Sequence, residues 1–203
     1  KVSTIQLTRL SRSEIIHLSR EVNILSKMIH PVLLKFIGYS PIDFNLHPFP
    51  VLINEMPPRK SLEYHLNLKR KGKLEEEKDD DENEEEETMN LIFIYGIANG
   101  MEFLHSHGIL HRNLCPENIF LTQDLCPKIG NFGLLTKIHS IKSMTYQSTV
   151  GIKGNPSYSS PELIESGTYS ETSDVYAFAM IVYELVTLNV PFKDIKNINS
   201  LYK

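Results

Sequence analysis

The residues predict an α+β fold in two unequal lobes, and three observations carry that expectation. Apolar side chains recur every three to four positions over residues 12–29 and again over 89–107, the period of an amphipathic helix. Between them lie two apolar runs, 32–39 and 49–56, of strand length. Beyond MPPRKS, residues 56–61, the pattern turns mostly helical, so a small lobe over 1–57 is expected to join a larger one over 58–203.

The first helix is carried by Ile15, Leu18, Val22 and Leu25, with Ser13 as its N-cap and His30-Pro31 as its end. The two strands that follow are separated by a loop with Pro41, Asp43 and Pro48, and are expected to be neighbours. The second helix presents Ile94, Ile97, Met101 and Leu104 on one face. Short strands are expected over 118–121 and 127–129, then an irregular Ser/Thr-rich loop over 136–160. The last helix, 173–187, is apolar on nearly all sides except at Glu184, as a helix inside a core would be.

Composition narrows the class. Of 203 residues, 41% are hydrophobic and 23% charged, ordinary for a globular protein with a sizeable core. Two cysteines, Cys115 and Cys126, are too few for a disulfide framework and suggest a reducing compartment. No apolar stretch reaches the roughly 20 residues of a membrane span, and the start carries no signal-peptide pattern, so a cytoplasmic location is expected. The net charge of −4 conceals the run EEEKDDDENEEEE at 75–87, which carries −10 and leaves the rest at +6. Such a run repels itself and buries nothing, which reads as a disordered acidic insert, a solvated loop expansion. As a docking tail it would instead attract basic partners or divalent cations. Nothing points to nucleic acid.

Several motifs stand in a fixed order. GILHRNLCPENIFLTQDLCPKIGNFGLLTK spans 108–137, GNPSYSSPELI spans 154–164, and SETSDVYAFAMIVYELVTLNVPF spans 170–192. Together with HPVLLKFIGYS and YGIANGMEFLH, they resemble the protein kinase family, in wording nearest its tyrosine-kinase-like group. The resemblance covers nearly the whole chain except 67–87. It implies the two-lobed kinase fold, with further elements beyond both ends: the glycine-rich strands before Lys1 and the last helices after Lys203.

The resemblance also implies which residues would do the chemistry, and most are altered. Gln6 falls where the family has a phosphate-clamping lysine, with Glu21 as the ion-pair partner of that lysine. Asn113 replaces the catalytic aspartate of HRD, beside a retained Arg112, and Cys115 replaces a lysine. A carboxamide has no useful basicity, and losing a general base costs about 10²–10⁴ in rate. Asn131 replaces the magnesium-binding aspartate of DFG, while Asn118 matches the second metal ligand. Asn54, Glu55, Pro57 and Phe120 fall among the nucleotide-contacting positions; Pro57 has no N–H to give to adenine, a loss of about 1 kcal/mol.

Leu25, Phe36, His111, Phe132 and Asp174 match side chains that link the lobes. Arg112 could pair with a phosphate on Ser143, Thr145, Tyr146, Ser148 or Thr149, and Glu162 is retained from APE. The expected function is a catalytically inactive kinase-like scaffold or allosteric regulator that binds other proteins, such as an active kinase. The alternative is a weak ATP-dependent serine/threonine kinase, with ATP and Mg2+ its cofactors if any nucleotide binding survives.

Overall fold

A computed structural model describes residues 2–6, 18, 22–23, 25–72, 80–131 and 156–193. Strands β1 (Val2–Gln6), β2 (Phe36–Ser40) and β3 (Val51–Glu55) form one antiparallel sheet in the order β1-β3-β2. The two apolar runs are therefore neighbours, as expected, with Tyr39 opposite Leu52 and Ser40 opposite Val51. The central position of β3 accounts for its apolar start, since Val51 and Leu52 are buried. The loop between β2 and β3 is shaped by Asp43, whose Oδ1 accepts the backbone N–H groups of Asn45 and His47, each at 2.8 Å.

Of the first expected helix, Leu18, Val22, Asn23 and Leu25 are helical, with a turn at Ser26 and Lys27. Ser13, Ile15 and Glu21 lie outside the described residues. Past the linker comes α1 (Leu62–Arg70), capped by Ser61, whose hydroxyl accepts the N–H of Tyr64 at 3.4 Å.

The next helix, α2 (Asp80–Ser106), begins earlier than the apolar period implies. This corrects the expected disordered insert: residues 80–87 are helical, while 73–79 lie outside the described residues. Two physical reasons favour helix there. Glutamate is a good helix former, and acidic groups in the first turns complement the positive end of the helix dipole. Lys69 Nζ also meets Glu86 Oε1 at 3.0 Å, tying this end to α1.

Farther along, α2 packs on the hairpin of β4 (Ile119–Leu121) and β5 (Pro127–Ile129). Gly96 and Gly100 permit that approach. A Cβ at Gly96 would stand 2.5 Å from Pro127 Cγ, and one at Gly100 would stand 2.8 Å from Ile129 Cδ1. The other side of β5 joins the segment that leads into β2 through backbone bonds, Leu34 N–H to Ile129 O and Ile129 N–H to Val32 O, both 2.7 Å. Phe93, Ile97, Leu104, Ile119, Ile129 and Ile181 form the buried centre.

A short 3-10 turn (Pro156–Tyr158) precedes α3 (Pro161–Ser166) and α4 (Glu171–Thr187). Helix α4 departs from the expected all-round burial. Its buried face carries Ser173, Asp174 and Glu184 as well as Ala177, Ile181 and Leu185, while Val175, Tyr183 and Val186 are exposed among the described residues. Polar groups are tolerated inside because each has a partner. Glu184 accepts from Arg70 Nη2 and the Tyr158 hydroxyl, and Arg70 Nε donates to Leu188 O at 2.7 Å. Ser173 Oγ donates to Glu162 Oε1 at 3.0 Å, joining α4 to α3. No described helix is long and apolar enough to cross a membrane.

Candidate active site

The loop from His111 to Asn118 owes its shape to Asp174, in the first turn of α4. Both carboxyl oxygens of this buried residue are engaged. Oδ2 accepts the backbone N–H of His111 at 2.8 Å and Oδ1 that of Arg112 at 2.9 Å. The Tyr169 hydroxyl donates to Oδ1, and His105 Nε2 lies 2.9 Å from Oδ2. These bonds hold Arg112 at φ 65°, a left-handed conformation that costs a non-glycine residue roughly 1–2 kcal/mol. The Arg112 guanidinium then lies 5.8 Å from the centre of the Tyr169 ring. Burial and the neighbouring Asp174 push the Tyr169 hydroxyl well above the usual tyrosine range, so it stays a donor.

His111 is buried and neutral at ordinary pH, because burial lowers its pKa to about 4. Its bonds fix the tautomer: Nε2 donates to Gly130 O at 3.1 Å, and Nδ1 accepts the Asn113 N–H at 3.3 Å. One imidazole thereby connects the two loops on which the expected site residues lie.

The far end of the loop closes on amides. Asn113 is exposed. Its backbone carbonyl accepts Asn118 Nδ2 at 2.7 Å, and the same Nδ2 lies 3.3 Å from Cys115 Sγ. Asn118 Oδ1 is thereby turned toward residue 131, where it accepts Asn131 Nδ2 at 2.8 Å. Asn131 has φ 59° and is reached through Gly130, whose N–H donates to Asn118 O at 2.8 Å. A side chain at Gly130 would meet Phe120 Cε2 at 2.8 Å, so Phe120 lies directly against this approach. Burial raises the Cys115 thiol to about 11, which leaves it protonated and a poor nucleophile.

Arg112, Asn113, Cys115 and Asn118 thus lie on the 111–118 loop, Phe120 on β4 beside it, and Asn131 on the segment that follows β5. Of the remaining expected residues, Asn54 and Glu55 end β3 and Pro57 follows, buried. The Glu55 side chain is engaged: Oε1 accepts the Lys35 N–H at 2.9 Å and Lys128 Nζ at 2.6 Å. Burial acts to raise its pKa, but these hydrogen bonds outweigh it and hold the carboxyl below its usual range. Gln6 ends β1 with Val51 as its partner across the sheet; its side chain, like Glu21, Phe132 and the hydroxyls between 143 and 149, lies outside the described residues.

A nucleotide with a divalent cation fits this set poorly. Such a cation prefers carboxylate oxygens, whereas Asn118 and Asn131 offer neutral amides already bonded to each other. Among the described residues no three His, Cys, Asp or Glu side chains gather as a metal site.

Two pairings escaped the sequence reading. The Lys128–Glu55 ion pair spans 73 residues and has no local signature. The Arg70–Glu184–Tyr158 cluster had one: an acidic residue in an otherwise apolar helix must find a buried partner.

The chain matches the profile of the family described as protein tyrosine and serine/threonine kinase over residues 3–203. It is 32% identical over 186 residues to an Aurora kinase of Debaryomyces hansenii, covering 91% of this chain and 40% of that protein. It is 35% identical to cysteine-rich receptor-like protein kinase 25 of Arabidopsis thaliana, over 82% of this chain and 23% of the relative. Against a probable serine/threonine-protein kinase of Dictyostelium discoideum, identity is 31% over 88% of this chain and 10% of the relative. The chain therefore spans well under half the length of these relatives.

Proposed function

The chain belongs to the protein tyrosine and serine/threonine kinase family, and on that premise we propose that it is a catalytically inactive member, a pseudokinase of the tyrosine-kinase-like group acting as a signalling scaffold or allosteric regulator of a partner protein. The observation that carries this reading is the chemistry at the positions of the family's base and metal ligands. Asn113, Asn118 and Asn131 are all carboxamides, while Asp174, whose carboxyl group holds the start of the loop, is buried and already accepts four hydrogen bonds. Phosphoryl transfer depends on positioning and charge neutralisation around the phosphates. Neither Asn113 nor Asn131 supplies the proton acceptor or the negative metal ligand that the family has at those positions, and the exposed carboxylate of Glu117 stands at neither.

A second reading, a slow ATP-dependent serine/threonine kinase, draws on the retained Asn118 and on the kinases among the relatives. The two separate in a phosphate-transfer assay with labelled ATP, Mg2+ or Mn2+, and a mixed protein substrate. The expected result is no transfer above that of an Asn118→Ala variant. Transfer that vanishes in Asn118→Ala would establish the slow kinase instead.

A further inference from the structure

Asn118 cannot turn over. Its Nδ2 is committed to the Asn113 carbonyl at 2.7 Å and faces Cys115 Sγ at 3.3 Å, so a flipped amide would set oxygen against oxygen. Its Oδ1 must therefore face residue 131, and only a hydrogen-bond donor there leaves that buried acceptor satisfied. Asn131 supplies the donor at 2.8 Å. A carboxylate in the same place would oppose two acceptors and would require a cation or a proton between them.

We infer that the Asn131–Asn118 amide bond takes the structural place of a divalent cation, holding the segment after Gly130 against the 111–118 loop with no metal at all. Two further bonds keep the partners in register, Gly130 N–H to Asn118 O at 2.8 Å and His111 Nε2 to Gly130 O at 3.1 Å. The arrangement is thus set by protein groups alone, and whether it is formed does not depend on nucleotide or ion. The inference rests on the reading of an inactive site and gives it a specific cause: residue 131 is a donor rather than a ligand. A single change, Asn131→Asp, turns a closed amide pair into an oxygen site open to a hard divalent cation.

The experiment is a thermal melt of the full chain in EDTA and in millimolar MgCl2, MnCl2 or CaCl2, with Asn131→Asp and Asn131→Ala alongside. The wild type is expected to move by less than about 1 °C in any cation, since a ligand that does not bind the native state cannot stabilise it. Both variants should melt about 2–6 °C lower in EDTA. A divalent cation should restore Asn131→Asp and leave Asn131→Ala unchanged. If Asn131→Asp shows no cooperative melt in EDTA, recovery of one with cation supports the inference and no recovery overturns it. A cation-dependent rise in the wild type, or an Asn131→Asp variant as stable as wild type in EDTA and indifferent to cations, also overturns it. Phosphate transfer by the wild type would sink the inactive reading alone, because the melts report on the amide bond without any reaction.

Discussion

The 111–118 loop is held at two places by opposite kinds of chemistry. At its start, the buried carboxyl of Asp174 accepts from the backbone of His111 and Arg112, from Tyr169, and faces His105. At its end, near solvent, carboxamides hold one another: Asn131 to Asn118, and Asn118 to the carbonyl of Asn113. The start is built of a charged acceptor surrounded by donors, which is stable only because every partner is present. The end is built of neutral groups that satisfy each other.

Replacing Asp174 should break this contrast most severely. Asp174→Ala removes an acceptor shared by four donors in the core, and a loss of about 3–5 kcal/mol in urea unfolding is expected. A loss below 1 kcal/mol would mean the loop is held by something else. Arg70→Ala comes next, since it leaves Glu184, with no exposed side-chain surface, bonded to Tyr158 alone. A loss of about 2–4 kcal/mol is expected, and the double variant Arg70→Met/Glu184→Leu should recover part of it.

Acidity tests the start of the loop from another direction. His111 and His65 each have a pKa lowered by burial from 6.5 to about 4. Between those values the unfolded chain takes up protons that the native state refuses, so stability should fall as pH drops from 6.5 toward 4. Burial raises the pKa of Glu184 against the pull of Tyr158 and Arg70, and it contributes the opposite slope above 4.5. Melts across this range should show a shallower decline in His111→Gln than in wild type. The smallest effect belongs to the exposed end. Asn113→Asp should alter stability by no more than about 0.5 kcal/mol, because its side chain stands in solvent. A larger change would show that the amide end also bears structural weight through that side chain.

The legible parts of this molecule were those with a short period or a motif. Apolar runs and helical spacing located β2, β3 and α2, and the resemblance of the 108–137 segment to the kinase loops implied one site for Asn113, Asn118 and Asn131. What stayed hidden was pairing across long separations. Arg70 and Glu184 are 114 residues apart, and no local pattern names the partner of either. The helical start of α2 was misread because repulsion along 75–87 outweighed helix propensity in the sequence reading, while in the folded chain residues 80–87 extend a helix already nucleated by packing of Phe93, Ile97 and Leu104. The donor role of Asn131 was equally invisible. Its identity suggested a weakened ligand, and only the fixed orientation of Asn118 reveals what the amide nitrogen does.

The grip of Asp174 also has a kinetic face. The amide protons of His111 and Arg112 belong to no helix or strand, yet both end on a carboxyl group sealed from water. They can exchange with solvent deuterium only when α4 itself moves away from the loop. Two residues of irregular backbone should therefore keep time with α4, and their exchange rates would report its opening as faithfully as any amide within it.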